Sequence, residues 1–71
     1  MPTPIPLRSD YITLGQALKV AGLASTGGQA KTVVRAGQFR VNDEVELRPG
    51  RKLHAGDRVT DESGQEWVIQ A

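Results

Sequence analysis

At Gly37 the apolar pattern of this chain changes its period, and that change limits the folds open to it. Upstream, Leu14, Ala17, Leu18 and Ala21 fall at i, i+3, i+4 and i+7, and Ala30, Val33 and Val34 repeat the stripe one helix later. Downstream, Phe39 and Val41 flank Arg40, and Glu66-Trp67-Val68-Ile69 alternates again, the period of a strand with one buried face. Helices followed by strands, rather than interleaved with them, predict an α+β domain of two helices packed on a small antiparallel sheet. With 71 residues the chain has material for one small core and no deep cavity.

Local signals place the boundaries. Residues 1 to 10 carry Pro2, Pro4 and Pro6, which hold the backbone extended and remove donors, so this stretch reads as an N-terminal tail or at most an edge strand, with the domain proper at residues 11–71. Thr13-Leu-Gly-Gln16 has the spacing of a capping box and opens the first helix, which Gly22 ends. Thr26-Gly-Gly-Gln29 repeats that spacing and opens a second helix running to about Gly37. Asn42 and Asp43 tolerate positive φ and suit a two-residue hairpin turn into Val45 and Leu47. The segment from Arg48 to Arg58 holds Pro49-Gly50 and Ala55-Gly56-Asp57 and reads as a loop; 58–60 and 66–69 read as closing strands.

The formal net charge is only +1, but it is unevenly placed. Between Gln29 and His54 six basic residues face three acidic ones, while the remainder carries three basic against five acidic. Such segregation fits an oriented contact with a polyanion, and equally a mixed solvated surface. Lys31 and Arg35 share one flank of the second helix, where like charges at i and i+4 repel by a few tenths of a kcal/mol. Helix stability does not account for that pair; a binding surface or a solvated flank does. Arg40 projects from the next strand, and Arg48, Arg51, Lys52 and His54 crowd the loop. Gly27 and Gly28 either let a helix N-terminus approach a phosphate or allow close packing of the two helices.

Catalytic chemistry is poorly provided. There is no cysteine and one histidine, and no nucleophile, base and acid are brought together by placement, so neither an enzyme, a metal site nor a cofactor is expected. The N-terminus has no long apolar run, so a soluble, cytoplasmic protein is expected, with no membrane partner and no small-molecule substrate. Phe39 and Trp67 are assigned to the core and Tyr11 to a helix entry, which leaves no platform for stacking single-stranded bases.

Thr26, Gln29-Ala30-Lys31, Val33-Val34-Arg35, Gly37, Val41-Asn42 and the Gly56-Asp57 turn match, in order and spacing, a known family. From about Tyr11 to Thr60 the chain resembles the S-four-type RNA-binding domain, also called the alpha-L motif. Its "ITLGQALKVAGLASTGGQAK" and "GRKLHAGD" are most similar to the small stand-alone bacterial members. The resemblance implies a basic helix-plus-hairpin surface offered to folded RNA, often ribosomal. Carried over by position, it makes Gln29, Lys31 and Arg35, followed by Gln38 and Arg40, the RNA-facing residues. The chain departs from the pattern at Gly27 and Gly28, where many members have basic residues, and at Asp43, where glycine is common; the loop cations Arg48, Arg51 and Lys52 compensate. The expectation is a non-catalytic, monomeric protein that binds structured, ribosomal or other stable RNA, with an adaptor for an acidic protein partner as the alternative.

Overall fold

The computed structural model describes residues 2–71. In chain order the elements are β1 Thr3–Pro6, β2 Ile12–Thr13, α1 Leu14–Val20, α2 Gly27–Arg35, β3 Arg40–Val41, β4 Glu44–Val45, β5 Lys52–Leu53, β6 Arg58–Thr60 and β7 Glu66–Gln70. The fold is α+β, as the switch of period predicts.

Both helices begin and end through their own sequence chemistry. At α1 the Gln16 amide donates to Thr13 Oγ1 (3.2 Å) and the Thr13 amide to Gln16 Oε1 (3.0 Å), a complete capping box. At α2 the Gln29 amide likewise donates to Thr26 Oγ1 (3.1 Å), but Gln29 Oε1 reaches one residue further back, to the Ser25 amide (2.6 Å). At the other ends Gly22 (φ 79°) and Gly37 (φ 78°) take the left-handed conformation that only glycine adopts freely. Their amides and the next ones bond back to Lys19 and Leu18, and to Val34 and Val33, satisfying carbonyls that each last turn leaves open.

The main sheet has the order β1-β7-β6-β3-β4, and a separate ribbon pairs β2 with β5. From β7 to β4 the pairing is antiparallel, whereas β1 runs parallel to β7 with Ile5 opposite Ile69, so the sheet as a whole is mixed. The proline-spaced segment is thus an edge strand. Leu7 donates to the Gln70 carbonyl, so by alternation Ile5 also faces β7 and Pro4 and Pro6 turn their donorless nitrogens to the open edge. The second difference lies in the 48–58 segment, read from its turn residues as loop throughout. It contains β5, whose Leu53 is fully buried and sits opposite Ile12.

One seam of apolar side chains joins the layers: Leu14, Ala17, Leu18, Ala24, Ala30 and Val34 from the helical half, and Ile5, Phe39, Val41, Leu53, Val59, Trp67 and Ile69 from the sheet. The hairpin turn has positive φ at both Asn42 (50°) and Asp43 (73°), as a primed two-residue turn requires. That turn pairs Val41 with Glu44 and Arg40 with Val45. Residues opposite each other share a face, so Val45 joins Arg40 outside, Leu47 follows it, and Glu46 falls on the inner side with Val41. Val45 and Leu47 are accordingly 54% exposed and Glu46 only 7%.

Two substitutions test this arrangement by thermal or urea denaturation. Trp67→Ala should cost about 3–5 kcal/mol, enough to unfold much of so small a domain. Leu47→Ala should change stability by less than about 0.5 kcal/mol; comparable losses in the two variants would contradict the hairpin register.

Candidate nucleic-acid interface

The basic loop is shaped by a β-turn. The Arg51 amide donates to the Arg48 carbonyl (3.2 Å), with Pro49 and Gly50 at the two central positions, where the fixed φ of proline favours the first. Arg48 and Arg51 therefore stand side by side at its two ends. The turn is fastened to α1 by the Leu14 amide, which donates to the Arg51 carbonyl (2.9 Å), and the Gly15 amide, which donates to that of Pro49 (2.9 Å). These are early amides of the helix, which need partners outside it. The same contacts carry the loop beside α2: one shallow groove is lined by Lys19, Gly27, Lys31, Pro49 and Gly50, and a second, sharing Gly50, by Arg48, Arg51 and Lys52.

Charge pairing divides the cations into two groups. Glu46 Oε2 accepts from Arg48 Nε (3.1 Å) and from the Arg48 amide (3.1 Å), and Oε1 from Arg51 Nη1 (2.9 Å). The side-chain hydrogen bonds from Arg48 and then Arg51, working against burial, lower the Glu46 carboxyl from 4.5 to about 2. The same partner raises the Arg48 pKa. Arg58 is likewise committed, to Asp43 (3.1 Å) and Glu66 (3.8 Å), so the acid at the hairpin turn is offset locally. By contrast Lys19, Lys31, Arg35 and Arg40 are exposed and have no ion-pair partner among the described residues. Lys52 lies over the Tyr11 ring, 4.9 Å from its centroid, a cation–π contact.

The residues singled out from sequence thus occupy several places. Lys31 borders the α1/loop groove, Arg35 lies one turn further along α2, and Arg48, Arg51 and Lys52 line the adjoining groove. Gln29 is exposed, but its carbonyl oxygen is occupied by the Ser25 amide, leaving its NH2 group to donate. Gln38 and Arg40 line a different groove, shared with the acidic residues Asp61 and Glu62. His54 belongs to the β5–β6 turn, where its amide donates to Asp57 Oδ2 (2.7 Å) and its Nδ1 lies 4.0 Å away. Burial opposes ionisation of Asp57, but that amide and the Asn42 side chain hold its carboxyl below the usual range. Close helix packing does not explain Gly27 and Gly28, since a Cβ at either would meet nothing of α1 within 4 Å.

Two features escaped the sequence reading. Lys19 joins the Lys31 groove from the other helix; it lies three residues after Gln16 on the polar flank of α1, a spacing that marks it, but a charge tally by segment separates it from Lys31. The other is Glu46: a charge tally sets it only against the basic residues, whereas the two-residue turn sends it inward.

The S4 domain model matches residues 5–70. The chain belongs to the S4 domain family. The match begins within the first strand, at the buried Ile5. Among its relatives, the "Probable ribosome maturation protein RlbA" of Bacillus subtilis is 46% identical over 59 residues, covering 83% of each chain. The "Putative RNA-binding protein YbcJ" of Escherichia coli is 34% identical over 53 residues, 75% of this chain and 76% of the relative. Among the described residues of this S4 domain no helix is long and apolar enough to cross a membrane.

The Glu46 cluster makes folding pH-dependent. Because its carboxyl is lower in the folded state than the ordinary 4.5, the folded chain binds fewer protons there; the stabilisation is complete above about pH 4.5 and is lost as pH falls towards 2. Urea titrations between pH 2 and 6 should show a steeper slope in the parent than in Glu46→Gln, where the lowered Asp57 carboxyl still contributes; parallel profiles would contradict the pairing.

Proposed function

We propose that this chain is a non-catalytic, monomeric RNA-binding protein that recognises structured RNA, ribosomal or otherwise stable, through the phosphate backbone. The observation that carries the reading is the run of solvent-accessible cations from Lys19 and Lys31 across the Pro49-Gly50 turn to Arg48, the half-buried Arg51 and Lys52, with Arg35 extending it along α2. Flexible lysines and planar arginine forks suit phosphate oxygens, and contacts of this kind follow backbone shape rather than base identity. Trp67 and Phe39 are buried and Tyr11 lies under Lys52, so bases find little to stack on, which favours folded over single-stranded RNA. Family membership and the printed names of the two relatives, an RNA-binding protein and a ribosome maturation protein, support the same conclusion. A cytoplasmic site of action agrees with a ribosomal RNA partner.

In this reading Gln29, Gln38, Arg40 and His54 are further RNA contacts outside the two grooves that hold the cation run. The acidic neighbours Asp61 and Glu62 make the Gln38 side the weaker contributor.

Filter binding over a range of salt concentrations tests the proposal. If about four to six cations meet phosphates, log affinity should fall with log salt at a slope of roughly −3 to −5, and a structured RNA should outcompete an unstructured strand of equal length. The double variant Lys31→Glu, Arg35→Glu should retain its circular dichroism spectrum and weaken binding about tenfold or more. A slope near zero, or a preference for unstructured strands, would overturn the reading in favour of an acidic protein partner.

A further inference from the structure

A buried acid in the middle of a phosphate-seeking loop runs against simple electrostatics, because a carboxylate there repels the ligand that the loop attracts. Glu46 is such a residue. It is 7% exposed, and it holds both arginines of the 48–51 turn: Arg48 through Nε (3.1 Å) and Nη2 (3.4 Å), and Arg51 through Nη1 (2.9 Å). The two guanidiniums nevertheless remain accessible, Arg48 with 77% of its side chain exposed and Arg51 with 33%. Among the described residues Arg48 Nη1 and Arg51 Nη2 have no protein partner.

The geometry points to Glu46 as a positioning residue that sets Arg48 and Arg51 side by side as one two-fork site for a backbone phosphate of RNA. The inference rests on the RNA-binding reading and names the place where a phosphodiester sits. Three constraints act together. The turn hydrogen bond between the Arg51 amide and the Arg48 carbonyl brings the two residues close, the bonds from Leu14 and Gly15 anchor the turn on α1, and the carboxylate then orients both side chains from below. An arginine on a free turn samples many rotamers, and a phosphate that binds it must order it. Glu46 has ordered both in advance, so binding loses less side-chain entropy, while the N–H groups without a protein partner are left for charge-assisted bonds. The carboxylate touches no RNA itself and acts through the arginines.

The two views of Glu46 predict opposite signs. A residue that only stabilises the turn, or only neutralises charge, should on replacement by Gln leave affinity unchanged or raise it. If Glu46 positions the forks, E46Q should weaken binding of a structured RNA about tenfold despite the added net positive charge. The test is a double-mutant cycle by filter binding, with folding checked by circular dichroism: parent, E46Q, the pair R48A/R51A, and the triple variant. The expected result is that E46Q weakens the parent but adds little in the chain lacking both arginines. In the spectrum of the free protein the Arg48 Nε–H signal should be resolved in the parent and merge with the mobile arginines in E46Q. Tighter or unchanged binding by E46Q, or an equal loss with and without the arginines, would overturn the proposal while leaving the RNA-binding reading in place. Should E46Q unfold, R48K/R51K, which keeps both charges but loses the forks, supplies the same decision: weakening comparable to R48A/R51A supports the site, and parent-like affinity overturns it. No binding by the parent itself would instead overturn the functional reading.

Discussion

The two hydrogen bonds from the amides of Leu14 and Gly15 to the carbonyls of Arg51 and Pro49 join α1 to the loop, and much of the remaining geometry depends on them. A helix N-terminus leaves donors that must be satisfied, and in α1 the Thr13 side chain meets one while the loop backbone meets two others. The loop is thereby held at a fixed height against α1. This fixes the pairing of Ile12 with Leu53, buries Leu53 in the core, and sets the 48–52 cations beside Lys31 of the neighbouring helix. A structural requirement of the helix places the loop where a polyanion would meet both.

Around that junction the acidic residues sort the cations. Glu46 orients Arg48 and Arg51 without removing them from solvent, whereas Asp43 and Glu66 occupy Arg58 on the sheet. Asn42 reinforces the second cluster, accepting from the Arg58 amide and donating to Asp57, and so ties the hairpin to the β5–β6 turn. The surface left free is positive on the α2 and loop side and mixed near Asp61 and Glu62. Net charge conceals this division, because it adds groups that different parts of the fold keep apart.

Short-range chemistry made much of the fold legible. Thr13, Gln16 and Thr26 marked the helix starts, Gly22 and Gly37 their ends, Asn42-Asp43 the hairpin, and the alternation around Trp67 a core strand. What stayed hidden is non-local. No residue of the 1–10 segment announces that its partner is β7, sixty residues away in sequence, or that the pairing is parallel. Lys52-Leu53 is too short for a periodic signal and becomes a strand only because Ile12 lies opposite. The burial of Glu46 was implicit in the two-residue turn, since counting outward from Asn42-Asp43 puts Val45 with Arg40 and Glu46 inside. The apolar character of Val45 and Leu47 masks that count. Of the site, Lys31, Arg48, Arg51 and Lys52 come to adjoining grooves, while Lys19 required the packing of one helix against the other to be recognised.

The central claim is that RNA meets the face formed by α2, Lys19 and the 48–52 turn. Isotope-labelled protein titrated with a structured RNA, followed through its backbone and arginine side-chain resonances, tests this most directly. Shifts concentrated at residues 27–35 and 48–53 and at Lys19, with little change along β1 and β7, are the result this account predicts. Shifts centred on β1 and β7, with the 48–53 turn unmoved, would contradict it.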